Sequence, residues 1–402
     1  MPSLTRTVRQ YGVRAPDPPG DATVGHTTRK SSTVSDQLPP KPVDAHAVAR
    51  GLASEPAPEP VFVGGYPRSG TSLLVSLLDG HPQLLVLPEE TWFLKDVSRR
   101  AAVSGPEALA YLFDRTNLRH LDPARPPDAA DLAGVGIADY DGFPYGRLRD
   151  RTTALFRDSA GAPPDVLSSL GLAFAEVTGA GPRRYLVEKT PDNEFRIGAA
   201  RAWWPRCRFV YMVRDPRAAF HSHAAKTRNG PAAARELPVE TFVLHYARSL
   251  GVGLRYIALV PGLSTLVKYE DLVTALEPEM RRMSRFLDVP FDPSLLVPTK
   301  LGRPWTGVGS GGEVGDQVVA GRIEAWRDGL HGSDVAYIET FLGKAMLFLG
   351  YPLTTGLATT GEFLAALRGR LPVRWQTLRA MASLYKPVGL VRRHRGSSRK
   401  GR

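Results

Sequence analysis

The chain has 402 residues, of which 43% are hydrophobic and 23% charged, as expected of a globular protein with a sizeable core. The formal charge of +12 is unevenly placed: Phe363–Arg402 holds eleven Lys and Arg and no Asp or Glu, leaving +1 for Met1–Glu362. The body is therefore near neutral, which does not indicate a specific nucleic-acid binder. Cys207 is the single cysteine, which excludes an intramolecular disulfide and a Cys-rich metal site. The N-terminus has no apolar signal region, and no apolar run approaches the ~18 residues that would span a bilayer. A soluble cytoplasmic protein is the expectation.

Residues 1–58 read as a disordered N-terminal arm, since DQLPPKPVD and SEPAPEP are linker-like and no apolar period is sustained. Residues 59–355 read as one α/β domain. Residues 356–402 read as a basic C-terminal helix and tail. Apolar residues from Phe363 to Tyr385 alternate there with Arg and Lys, so contact with an anionic membrane surface stands beside a packed helix with a solvated tail.

The domain opens on VFVGGYPRSGTSLLVSLL, Val61–Leu78. Val61–Gly65 reads as a buried strand, Tyr66–Gly70 as a tight loop and Ser69–Leu78 as a helix, with Leu73, Leu74, Leu77 and Leu78 at helical spacing. A strand, a Gly-bearing loop and a helix N-terminus make an anion site, because the first helical N–H groups have no partner within the helix. Arg68 adds a planar cationic donor, and Ser69, Thr71 and Ser72 add hydroxyls. Gly65 and Gly70 keep the spacing of a Walker A loop, but Thr71 stands where its Lys belongs.

A short apolar run, Leu84–Leu87, leads into PEETWF, with Glu89 and Glu90 beside Trp92 and Phe93. Helical pieces follow at Glu107–Asn117 and Thr152–Val177, separated by a Pro-, Gly- and Asp-rich stretch. Arg184–Val187 reads as a second strand and puts Lys189 just past its C-terminal end, where open α/β sheets hold ligands. Cys207–Val213 is a third strand, running into RDPR. Arg214, with Ser222 and Lys226 on the following helix, offers a second anion site; an Arg–Asp pair closing the turn is the plainer reading. His221, His223 and His245 lack a ligand-spaced carboxylate or Cys partner and read as ordinary helix histidines. Leu263–Lys268 is a fourth strand, ending at Tyr269, and Gly302–Gly315 reads as a long Gly-rich loop. Helical segments separate all four strands, so the sheet should be parallel.

GYPRSGTSLL, PEETWF, EKTPDN, VYMVRDPRAAFHS and VKYEDL occur in this order over about Pro60–Gly350. Together they resemble the sulfotransferases that use PAPS (3′-phosphoadenosine 5′-phosphosulfate), nearer the tyrosylprotein and carbohydrate branch than the aryl branch. The resemblance implies a three-layer fold like that of the P-loop NTPases, with a central parallel sheet flanked by helices. It implies that Arg68, Ser69, Gly70, Thr71 and Ser72 hold the 5′-phosphosulfate. Arg214, Ser222 and Lys226 would hold the 3′-phosphate, and Tyr269 would line the cofactor pocket. Ser310 and Trp326 match a cofactor-capping loop loosely. Glu90 fits the family's base in its Glu-Glu-Thr context, with Glu89 left open, and Arg68 and Lys189 would stabilise the leaving group without a metal. The acceptor would be a hydroxyl on a carbohydrate, lipid or secondary metabolite. A P-loop kinase or NTPase and a non-catalytic nucleotide-binding protein of the same fold are the alternatives.

Overall fold

The computed structural model describes residues 56–97, 104–124, 140, 142–228, 237–305, 323–356 and 361. Residues 1–55 of the N-terminal arm, Ser310 and, apart from 356 and 361, the basic tail lie outside them.

Five parallel strands form the sheet in the order β2-β3-β1-β4-β5. In chain order these are β1 (Glu59–Gly64), β2 (Leu84–Val86), β3 (Tyr185–Lys189), β4 (Arg208–Val213) and β5 (Ser264–Lys268). Successive side chains of a strand point to opposite faces, and the core divides accordingly. Val61, Val63, Tyr185, Val187, Val210 and Met212 face one layer of helices. This layer includes α1 (Thr71–Leu78), through Leu74, Leu77 and Leu78. Phe62, Leu85, Leu186, Phe209 and Tyr211 face the other layer. A sheet covered on both faces needs strands apolar on both faces, and this is why FVYMV shows no alternation.

The opposite layer comprises α2 (Phe93–Val97), α3 (Gly105–Arg115), α4 (Tyr145–Arg157) and α5 (Pro163–Thr178), then α6 (Ile197–Trp203), α7 (Pro216–Arg228) and α8 (Val239–Leu259). The short α9 (Tyr269–Thr274) and α10 (Leu276–Leu287) return to the α1 side. A two-stranded antiparallel hairpin follows, β6 (Thr299–Lys300) and β7 (Arg303–Pro304). Last come the single-turn α11 (Trp326–Gly329) and α12 (Gly332–Phe348).

Three expectations are corrected. The sheet has a fifth strand, β2, at its edge: three residues are too few to show a pattern, yet all three are buried. Thr152–Val177 is two helices, because Gly161 takes φ +76° and Pro163 and Pro164 start α5 anew. The first residues of the Gly-rich loop pair as the β6–β7 hairpin. Among the described residues no helix is long and apolar enough to cross a membrane.

A buried charge cluster fixes α7 and α12 beside the end of β4. Arg217 is 1% exposed. It forks onto Asp215 (Nε–Oδ1 3.0 Å, Nη2–Oδ2 2.6 Å) and reaches Glu339 of α12 at 2.5 Å, with its guanidinium 4.0 Å from the Trp326 ring centroid. Glu339 also accepts the backbone N–H groups and hydroxyls of Thr354 and Thr355. The Arg–Asp pair that closes the RDPR turn is thus made by Arg217. Replacing Arg217 by Met leaves two buried carboxylates short of their cation and should destabilise the protein by about 3–5 kcal/mol. Denaturant unfolding of the two proteins measures this, and a loss under 1 kcal/mol would contradict it.

Candidate active site

The loop after β1 is built against three neighbours. Gly65 takes φ +141°, and a Cβ there would lie 2.4 Å from the Met212 carbonyl oxygen of β4. Gly70 takes φ +92° as the N-cap of α1, and a Cβ there would lie 2.5 Å from the Tyr269 ring. Only glycine fits both positions. Arg68 holds φ +74° without being glycine, a backbone cost sustained by the fixed surroundings. The α1 N-cap makes no side-chain bond and the first turn has no acid. The N-terminal dipole of the helix is thus left for an anion.

Below this loop lies Glu194, fully buried. Its carboxylate accepts from the Gly65 N–H at 3.0 Å and from the Ser249 hydroxyl at 2.5 Å. Burial pushes its carboxyl up to about 7, against the pull of these hydrogen bonds.

At the loop, Arg68 Nε donates to Ser222 Oγ at 3.0 Å. Arg214 Nη1 donates to the Arg68 carbonyl at 3.2 Å, and its guanidinium lies 4.2 Å from the Tyr269 ring centroid. Tyr269 is thus sandwiched between Arg214 and Gly70. The two anion sites read from the sequence meet through the Arg68–Ser222 contact. Ser69 Oγ is buried with no hydrogen-bond partner. Thr71 is buried at the first turn of α1, whereas Ser72 is exposed. Lys226 is on α7, and its side chain lies outside the described residues.

The second half of the site comes from PEETWF and the end of β3. Glu188 is buried and collects four donors: the Thr91 N–H (3.2 Å) and Oγ1 (2.7 Å), Thr190 Oγ1 (2.5 Å) and Asn193 Nδ2 (2.7 Å). Thr190 Oγ1 also takes the Trp92 N–H at 3.2 Å, and Trp92 sits at φ +51°. These bonds hold the acidic turn against β3. Glu90 then meets Lys189 at 2.6 Å, with both side chains largely covered. Lys189 pairs in register with Val63, so it stands level with the end of β1 where the loop begins.

Glu89 faces a different set. It accepts from Tyr140 Oη and from Lys300 Nζ (3.2 Å), and His120 Nδ1 lies 3.8 Å away. Burial pushes its carboxyl up, but the nearby His120 imidazole, the Lys300 ammonium and the Tyr140 hydroxyl outweigh this and hold it below the usual carboxylate range. Lys300, Tyr140, His120 and Glu194 escape a reading of motifs, whereas Glu188 opens the motif EKTPDN but carries no assigned role there.

The remaining candidates are ordinary. His221 packs against Gly329, where a Cβ would lie 2.1 Å from Nε2. Burial pushes the Cys207 thiol up to about 12, as for an inert core cysteine. Among the described residues no group of three or more His, Cys, Asp or Glu is placed to hold a metal ion.

The sequence profile of the Sulfotransferase family matches residues 60–293, more than half of the chain. The chain belongs to the sulfotransferase family. It is 26% identical over 247 residues to protein-tyrosine sulfotransferase 1 of Danio rerio, covering 59% of this chain and 55% of that protein. It is 25% identical over 259 residues to nodulation protein NoeE of Sinorhizobium fredii, covering 60% and 52%. The chain thus spans about half the length of the curated relatives it matches. Among solved structures, the sulfotransferase domain of the Synechococcus PCC 7002 olefin synthase aligns at TM-score 0.49 and 18% identity, over 75% of this chain and 98% of that domain. That of the curacin biosynthetic pathway aligns at 0.47 and 19%, over 74% and 100%. The matched segment contains Arg68, Glu90, Lys189, Arg214, Ser222 and Tyr269, but not Lys300.

The site geometry makes the loop's stability pH-dependent. A carboxyl raised from 4.5 to about 7 stabilises the fold in its protonated form. That contribution is fully present below about pH 4.5 and is lost as pH rises to about 7. The size is on the order of 3 kcal/mol. Glu194→Gln keeps an acceptor for Gly65 and removes the titration. Unfolding free energies from pH 4.5 to 8 should therefore fall less steeply in the variant, and parallel profiles would refute the assignment.

Proposed function

We propose that this protein transfers a sulfuryl group from PAPS to a hydroxyl acceptor in the cytoplasm, with Glu90 as the general base. The acceptor is a hydroxyl on a carbohydrate, a lipid or a secondary metabolite. The observation that carries the reading is the Glu90–Lys189 pair, 2.6 Å apart at the end of β3, level with the mouth of the anion loop. The loop fits the phosphosulfate on its own chemistry. It offers a buried hydroxyl without a partner at Ser69, uncapped helix N–H groups and the Arg68 guanidinium. Arg214 and Ser222 are the groups for the 3′-phosphate, and Tyr269 is the wall behind them.

PAPS brings the activated sulfuryl group, so the protein has only to align, deprotonate and absorb charge. Glu90 takes the proton of the acceptor hydroxyl as its oxygen bonds to sulfur. The bond from sulfur to the bridging phosphate oxygen breaks, and 3′-phosphoadenosine 5′-phosphate (PAP) leaves. Lys189, Arg68 and the α1 N–H groups hold the negative charge that grows on that oxygen. Fixed cations already aimed at the site need no reorganisation at that moment. Thr91 and Trp92, locked onto Glu188 and Thr190, keep Glu90 from turning away.

Two measurements test this reading. Arg214→Ala should weaken PAP by roughly 10–100-fold, and adenosine 5′-phosphosulfate, which lacks the 3′-phosphate, much less. Calorimetry with both ligands decides it, and equal losses would remove Arg214 from the role. Glu90→Gln should lower turnover by roughly 10²–10⁴-fold and keep PAP affinity. Labelled PAPS with an extract of the source cells supplies the acceptor for that assay. Near-normal transfer by Glu90→Gln would sink the mechanism.

A further inference from the structure

Two carboxylates and two ammonium groups crowd the end of β3, and they pair in only one way. Lys189 bonds Glu90 at 2.6 Å, and Lys300 bonds Glu89 at 3.2 Å. Glu89 also lies within the field of Lys189. The Glu89 side chain is 6% exposed, that of Lys300 17%, that of Lys189 14% and that of Glu90 18%. At such burial an unbalanced charge draws on whatever counter-charge is near. Among the described residues, the ammonium that remains beside Glu89 without Lys300 is that of Lys189.

Lys300 is not there by chance. It sits on the β6–β7 hairpin, which Asp79 grips: Thr299 Oγ1 and the Gly302 N–H both donate to Asp79 Oδ2 at 2.8 Å. Asp79 is the C-cap of α1, the helix whose N-terminus forms the anion loop. The Lys300 ammonium also lies over the Tyr140 ring, 4.6 Å from Nζ to the centroid. The titratable groups facing Glu89 are thus His120 from the turn after α3, Tyr140, Lys300 from the hairpin, Lys189 from β3 and its neighbour Glu90. Lys95, over the Trp92 ring, bridges to Asp192 at 3.5 Å.

We propose that Lys300 is a positioning residue that neutralises Glu89 and so reserves Lys189 for Glu90 and for the anionic donor. It touches neither donor nor acceptor and acts through the Glu89–Lys189 balance. The inference rests on the reading of Lys189 as a donor-binding cation.

The test is a double-mutant cycle read by calorimetric binding of PAP, which needs no acceptor. Lys300→Met should weaken PAP by roughly 5–10-fold in the presence of Lys189, and by less than about twofold in a Lys189→Met background. Glu89→Gln combined with Lys300→Met should restore PAP affinity, since neither charge then remains. Lys300→Arg should bind as the parent does. Equal losses from Lys300→Met in both backgrounds, or no loss in either, would overturn the proposal, because Lys300 would then act as a distant charge or not at all. Circular dichroism of each variant reports folding. Should Lys300→Met not fold, Glu89→Gln carries the test: because Lys300 already neutralises Glu89, the loss of PAP affinity from Lys189→Met should be the same with and without Glu89→Gln, and a loss that differs by roughly fivefold or more between the two backgrounds would overturn the proposal. If Lys189→Met by itself leaves PAP affinity intact, the donor-site reading fails and takes this inference with it. If Lys189→Met weakens PAP but the cycle is additive, only the inference fails.

Discussion

The hydrogen bond from the Gly65 N–H to Glu194 is the contact on which the site depends. An anion loop must keep several N–H groups unpaired and pointing outward, which a chain does not do unless something else fixes its backbone. Here a fully buried carboxylate fixes it from below, itself braced by Ser249 on α8. The α8 layer thus reaches the C-terminal end of the central strand to shape the loop. The close approaches of Gly65 to Met212 and of Gly70 to Tyr269 do the rest. The cost is a carboxyl buried near its titration point, which ties the integrity of the loop to pH.

The same economy governs the two arginines of RDPR. They are three residues apart and have opposite fates. Arg217 turns into the protein and is consumed by Asp215, Glu339 and Trp326. Arg214 is left at the loop, its carbonyl taken by Tyr246 and its guanidinium laid on Tyr269. Asp215 is also held from the other side: its N–H donates to Glu270, which accepts from Tyr351. A turn so thoroughly bonded presents Arg214 in one orientation. Preorganised cations are worth more to an anion than mobile ones, because the ordering entropy is already spent.

The layers of the fold were legible in the sequence because long apolar strands and periodic helices carry their own signal. Val61–Gly65, Cys207–Val213 and Leu263–Lys268 each fall on a strand within a residue or two. Leu84–Val86 was not legible as a strand, since three residues hold no period and their pairing with β3 is a tertiary fact. In the site, residues inside motifs could be read, and the structure brings Arg68, Ser222, Arg214 and Tyr269 together. Their partners could not be read. Glu194, Tyr140, His120 and Lys300 each stand alone in the sequence, and each gains meaning only from a contact made across fifteen residues or more. Charge balance is a property of a volume, and a linear pattern does not encode it.

This has a consequence for how the family's segment relates to the chain around it. Residues 60–293 match the sulfotransferase profile and supply the loop, the acids, Lys189 and Arg214. Yet two of the charges in that segment are balanced from outside it. Glu89 finds Lys300, just past its end, and Arg217 finds Glu339 and Trp326, further on. Arg217 keeps Asp215 within the segment, so what the later elements supply is the counter-charge of Glu89 and the second partner of Arg217, and losing a buried partner costs about 3–5 kcal/mol. The shared segment holds the chemical groups, and the hairpin and α12 add partners to two of its buried charges. The β6–β7 hairpin balances Glu89 with one lysine, and Asp79 grips that hairpin at the far end of the helix that begins the anion loop.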